Sequence, residues 1–180
     1  MNLYVGPPFE GGLHRIKSVF QLISLHDDIE IVPSEVGAHV IKFEGQDVSV
    51  DNTCSKLISI LSPQLKQFWQ VRVVKHIPSG AGLGGGSSNA AALLLAVNEL
   101  ERLDLTISDM NAIAQQVGSD VPFFLHGGQA KVSGVGELIG PNAHLIHCSH
   151  FVLILPTIHS STAEVYRALD TLDEFDDLDE

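Results

Sequence analysis

Between Pro78 and Asn89 the chain reads PSGAGLGGGSSN, with five glycines in the seven residues from Gly80 to Gly86. So dense a glycine run predicts no regular element there. Directly behind it comes AAALLLAVNELERL, a strong helix former. The first N–H groups of a helix have no partner within it and carry a partial positive charge. Glycines in front of such a start let the backbone approach an anion closely. Pro78, Gly80, Ala81, Gly82, Leu83, Gly84, Gly85 and Gly86 thus form a candidate polyphosphate cradle. The hydroxyls of Ser87 and Ser88 stand where they can add hydrogen bonds to phosphate or bind Mg2+. No Gly-Lys-Ser/Thr follows, so this is not a Walker loop. Gly80, Gly82 and Gly85 satisfy the loose G-x-G-x-x-G spacing, but the parallel unit and ribose-binding acid of a dinucleotide fold are missing. The bland alternative is a flexible loop that happens to precede a helix.

A second candidate is Gly118-Ser119-Asp120-Val121-Pro122-Phe123-Phe124. Asp120 is a lone acid beside a proline and two phenylalanines. A carboxylate among apolar groups can serve as a base when a cation or a positioned hydroxyl stabilises its charge. It can equally be a turn residue bonding local backbone N–H groups.

These segments need elements to position them. The stretches Val19–Leu25, Ile29–Val32, Val36–Phe43 and Gln70–His76 read as strands, as do residues 129–133 and 151–155. Asp51-Asn52 caps a helix with Cys54, Leu57, Ile58 and Leu61 at helical spacing. The helix behind the glycines shows Ala91, Leu94, Leu95 and Val97 on its apolar face, and a further helix runs from Ser108, as N-cap, to Val117. Residues 119–128 read as a tight connection, and a final helix lies near 162–170. The order is α+β, strands and helices mixed without regular βαβ alternation.

Composition narrows the function. The chain has 180 residues, 44% hydrophobic and 18% charged, enough to bury a core. Its net charge is -12, from 22 acids and 10 bases, which disfavours nucleic acid as a partner. Seven of the acids lie between Asp170 and Glu180, which reads as a solvated tail or linker. No apolar run is long enough for a membrane helix and the start lacks a secretory pattern. With two cysteines, Cys54 and Cys148, a reducing cytoplasmic setting is expected.

The glycine loop and the GSDVPFFL segment together resemble the GHMP kinases. NLYV, GGLH, SVFQLISLHDDIEI, GSDVPFFLHGGQAKVSGVGELI and STAEVYRAL fall in that family's order, so the likeness covers most of the chain. It resembles in particular the members that phosphorylate a cytidine-diphosphate-linked methylerythritol. The resemblance implies a fold like ribosomal protein S5 domain 2, a mixed sheet packed against helices, with residues 1–155 as the ATP-binding N-terminal domain. Residues 156–180 would be a linker helix and acidic tail. It implies ATP and Mg2+ as cofactors, Gly82 to Ser88 around the triphosphate, and Asp120 at the acceptor hydroxyl as base or electrostatic partner. It also implies that Asn2 and His14 hold the cytidine end of the substrate and that Tyr166 stacks on the base. Four departures stand out. Asn89 ends the glycine loop where these kinases usually have aspartate. Met1 directly precedes Asn2, where the family places a lysine two residues earlier. Leu13 stands where a second stacking aromatic is usual. The resemblance implies a C-terminal domain with another glycine-rich motif; none follows Gly140, so the expectation is a truncated product, a piece of a longer protein or a domain supplied by a separate chain, and this polypeptide alone is expected to turn over little.

Two rivals accompany this reading: a non-catalytic remnant, and a sister kinase acting on another small alcohol. Elsewhere, His144, His147, Cys148 and His150 could hold zinc but lack a second ligand pair at finger spacing. His26, Asp27 and Asp28, at a strand end, read as a turn.

Overall fold

The computed structural model describes residues 3–8, 12–141, 150–155, 162–172 and 175. The chain divides into two compact units: Ser24–Leu125, and Met1–Ile23 together with His126–Glu180.

The continuous unit holds a three-stranded sheet of β3 (Asp28–Pro33), β4 (Val40–Glu44) and β5 (Trp69–Val74) in the order β3-β5-β4. The central strand β5 pairs antiparallel with β3 and parallel with β4. Alternation along β5 aims Trp69, Val71 and Val73 inward, and all three are buried. The next residue in phase is Lys75, also buried. Helices α1 (Thr53–Leu61), α2 (Gly85–Glu101) and α3 (Ile107–Val117) contribute Leu57, Leu61, Leu93, Leu94, Val97 and Ala114 to the same core.

Local sequence explains most of the helix ends. Asn52 caps α1 by accepting the Ser55 N–H at 3.0 Å. The α3 cap is Thr106, not Ser108. Thr106 and Asp109 form a reciprocal capping box, with Asp109 in the usual place of glutamate. The apolar face of α2 also differs from expectation: Leu93 is buried and Leu95 is exposed. Residues 119–128 are more than a connection, because Val121–His126 form a short helix, α4.

At the far end of α2 the buried Glu101 accepts from Trp69 Nε1 at 2.8 Å and from the Lys66 backbone N–H at 3.1 Å. Its carbonyl takes the Lys66 ammonium at 2.8 Å. Glu101→Leu strands the indole N–H and is expected to cost about 2 kcal/mol. Urea unfolding followed by the emission of Trp69, the chain's one tryptophan, measures this.

The second unit is built on an antiparallel sheet of β1 (Leu3–Pro8), β2 (His14–Gln21), β6 (Gln129–Gly134) and β7 (Leu138–Pro141), in the order β1-β2-β6-β7. A register shift interrupts the β1–β2 pairing between Val5 and Pro8. Helix α5 (Thr162–Leu172) belongs to this unit. The strand expected at 151–155 does not form: Phe151–Leu155 lies in no sheet, and Val152 is 91% exposed. Among the described residues no helix is long and apolar enough to cross a membrane.

Candidate functional site

As far as Gly84 the glycine segment lies in no regular element, and it leads directly into α2. Gly80, Gly82 and Gly84 all take left-handed backbone angles, with φ of 74°, 69° and 67°, alternating with Ala81 and Leu83. Left-handed residues interleaved with others turn successive N–H groups toward one side, the geometry of an anion nest. Gly85 and Gly86 depart from expectation, because they form the first turn of α2 itself. The first bond of that helix runs from the Ser88 N–H to the Gly84 carbonyl, at 2.8 Å. Among the described residues, no carbonyl or side chain accepts from the N–H groups of Gly82 through Ser87. Those groups front a cavity of about 300 Å³ lined also by Phe43, Val48, Asn52, Thr53 and Lys75.

Two helix starts meet at this cavity. Thr53, the first residue of α1, donates from Oγ1 to the Gly86 carbonyl at 2.6 Å. The hydroxyls of the serine pair differ. Ser88 Oγ donates to the Gly85 carbonyl at 2.9 Å, whereas no hydrogen bond engages Ser87 Oγ among the described residues. Of the two, Ser87 is the one with a hydroxyl to offer a ligand. Cys54 lines the cavity wall and is buried, which pushes its thiol up to about 11.

The sequence reading missed Asp27. It reads as a turn, yet its side chain is fully buried beneath the glycine loop. Oδ1 accepts from the backbone N–H groups of His76 at 2.7 Å and Ile77 at 2.8 Å. Oδ2 accepts from Asn89 Nδ2 at 2.9 Å and pairs with the ammonium of Lys75, which is 5% exposed. Burial pushes the carboxyl's pKa up. The donations from Lys75, Ile77, Asn89 and His76 outweigh it and hold the group below its ordinary range. A depressed carboxyl stabilises the fold above the unfolded value of about 3.9 and loses that contribution as pH falls through its lower folded value. Asp27→Asn/Lys75→Met removes both charges, so its melting temperature is expected to depend less on pH between about 4 and 2 than that of the native chain. Melts followed by circular dichroism over that range test this.

Asp120 precedes α4, whose Phe124 ring packs on the glycine loop: a Cβ on Gly84 would sit 2.8 Å from Phe124 Cζ. The carboxyl is half-buried, and burial pushes its pKa up. Among the described residues no hydrogen bond or ion pair reaches it. The turn reading, in which local N–H groups hold the carboxylate, therefore does not apply.

In the other unit, the structure brings His14 and Tyr166 together, with ring centroids 4.9 Å apart. His14 is buried, and its Nδ1–H donates to the Gly6 carbonyl at 2.9 Å. Nε2 lies 3.1 Å from an Asp170 carboxylate oxygen, close enough for an ion pair when the ring is protonated but off the line of a hydrogen bond. Phe175 faces the same imidazole at 5.7 Å. Leu13 is exposed. Asn2 lies outside the described residues, as do His144, His147 and Cys148. Among the described residues there is no cluster of metal-ligating side chains.

A phosphate nest at the head of α2, with Asp120 just ahead of a short helix whose Phe124 packs on the loop, is the arrangement of a GHMP kinase N-terminal domain, and the chain belongs to that family. Residues 52–128 match the family described as "GHMP kinases N terminal domain". The chain is 40% identical over 167 residues to the 4-diphosphocytidyl-2-C-methyl-D-erythritol kinase of Geobacillus kaustophilus, covering 88% of this chain and 56% of that protein. Against the enzyme of the same name from Thermotoga maritima it is 41% identical over 160 residues, covering 88% and 57%. A crystal structure of 4-(cytidine 5'-diphospho)-2C-methyl-D-erythritol kinase superimposes with a TM-score of 0.73 and 32% identity, covering 98% of this chain and 63% of that one. The chain thus spans little more than half the length of the curated relatives it matches.

Proposed function

We propose that this chain binds ATP through the Gly80–Ser88 segment and serves phosphoryl transfer to the 2-hydroxyl of 4-diphosphocytidyl-2-C-methyl-D-erythritol. The observation that carries the ATP reading is the row of unpartnered N–H groups from Gly82 to Ser87 facing a cavity of about 300 Å³. The alcohol is proposed from the printed activity of the relatives. In this reading the acceptor oxygen forms a bond to the γ-phosphorus as the bond to the β–γ bridging oxygen breaks and ADP leaves. The loop amides neutralise charge on the phosphates, which is most of what phosphoryl transfer asks of a protein. Asp120 orients the hydroxyl and takes its proton, and its raised pKa makes it a better acceptor than a solvated carboxylate.

Mg2+ supplies further charge neutralisation when bound. The free Ser87 hydroxyl fits a role beside a metal held chiefly by the nucleotide, since no protein ligand cluster stands among the described residues. His14 and Tyr166 would receive the pyrimidine once the imidazole parts from Asp170 and Phe175, a role that their ring contact supports.

Isothermal titration with a non-hydrolysable ATP analogue and Mg2+ tests the nucleotide site. Saturable binding with a Kd below a millimolar is expected, and no heat at millimolar analogue sinks the reading. A second reading, nucleotide binding without transfer, is favoured by the absence of any cation paired with Asp120 among the described residues. A coupled assay for ADP release with the cytidine-linked alcohol separates the two. Saturation-transfer NMR with CDP decides whether the pyrimidine is recognised or the acceptor is a different alcohol.

A further inference from the structure

We propose that Asp27 is a positioning residue for the nucleotide, a buried carboxylate that fastens both arms of the glycine loop. The inference deepens the ATP-binding reading and rests on it. Asp27 comes just before β3, about 50 positions ahead of the loop in sequence, and its four bonds divide between the two arms. Oδ1 holds the N–H groups of His76 and Ile77, where the chain leaves β5 and enters the loop. Oδ2 holds Asn89, which projects from the first turns of α2 where the loop ends.

Other ties reach one arm each. Gln46 grips the entering arm, accepting the Ser79 N–H at 2.7 Å and donating to the Ile77 carbonyl at 3.1 Å. Thr53 grips the leaving arm at Gly86. Among the described residues, Asp27 is the side chain that bonds to both. Lys75 completes the fastening. The inward phase of β5, continued one residue past the strand, carries its ammonium under the α2 start, where a Cβ on Gly85 would be 3.2 Å from Nζ. A cation beneath the positive end of a helix is unfavourable alone, and Asp27 neutralises it there.

The consequence is geometric. Amides converge on a phosphate only while the loop's two ends keep a fixed separation. A run with glycine at five of seven positions has little stiffness of its own to keep it. The fastening supplies what the loop lacks, so the free chain meets its nucleotide with the nest already formed, which lowers the ordering cost of binding.

Two variants test this in the 180-residue chain. Asn89→Ala cuts the tie to α2 and leaves the ion pair. Asp27→Leu/Lys75→Met removes both buried charges together with every bond to the two arms, avoiding the lone buried ammonium that Asp27→Leu alone would leave. Affinity for a non-hydrolysable ATP analogue is expected to fall about tenfold in Asn89→Ala and further in the double variant. Over the same comparison the Asn89→Ala melting temperature should shift by only a few degrees. Without nucleotide, the ¹⁵N order parameters of Gly80 to Gly86 should fall from the rigid range near about 0.85 to below about 0.6. Unchanged affinity and order parameters in both variants overturn the proposal, as does a native loop already below about 0.6. Failure of the native chain to bind the analogue would refute the ATP reading instead, and the order parameters would still decide whether Asp27 fastens the loop.

Discussion

Gly84→Ala is expected to abolish nucleotide binding at any practical concentration, weakening it by about a hundredfold or more, and to destabilise the chain by roughly 3 kcal/mol. Two separate costs coincide at this position. With φ at +67°, an L-residue pays about 1–2 kcal/mol. The new methyl would also lie 2.8 and 2.9 Å from the Phe124 ring, so either α4 or the loop must shift. Either movement disperses the N–H groups that converge on the cavity. Gly82→Ala is the informative contrast. Its φ is +69°, but nothing lies within 4 Å of the added Cβ. That variant should pay the backbone term alone, fold with a smaller loss and keep part of its affinity. Titration calorimetry and thermal melts on the pair distinguish strain from collision. Equal behaviour of the two variants would show that the Phe124 contact does not matter.

Asp120→Asn is expected to act on stability and on chemistry in opposite directions. Burial raises this carboxyl's pKa, so the folded chain holds its proton more tightly than the unfolded one. Ionisation then costs the folded state, and stability falls as pH rises from about 3.9 through the raised value. The uncharged amide escapes that cost. At pH 7 the variant should melt at or above the native temperature, and the two should converge below about pH 4. In the proposed reaction, phosphoryl transfer should drop by about a hundredfold or more from whatever rate the native chain supports, while analogue affinity stays within about twofold. A lower melting temperature at neutral pH would show instead that the carboxylate is stabilised by its surroundings.

What the sequence revealed, and what it hid, follows from how far each constraint reaches along the chain. The glycine loop was legible because glycine is itself the constraint: no other residue suits three left-handed positions so close together. Asn52 was legible as a cap because its bond spans three residues. Asp27 was not, because every group it bonds lies 48 or more positions away and its neighbours His26 and Asp28 resemble a turn. The available clue was Lys75, which continues the inward phase of Trp69, Val71 and Val73 and so demands a buried partner. The α3 start was misplaced by two residues because Thr106 with Asp109 makes the same box as threonine with glutamate. The α2 face was misread because AAALLLAV is apolar nearly all round, so periodicity could not tell Leu93 from Leu95. Residues 151–155 have a strand's composition but no ladder, and composition cannot supply a neighbour.

The strand order β3-β5-β4 also governs the moment at which the Ser24–Leu125 unit can take shape during synthesis. Among the described residues, neither β3 nor β4 has a sheet neighbour other than β5, which comes last of the three. A nascent chain that has emerged only as far as Gln64 therefore carries two strands with nothing to pair with. Emergence of six residues, Trp69 to Val74, lets both ladders form at once. Translation thus passes through an interval in which two unpaired strands wait for a third, the stage at which a holding chaperone would matter most.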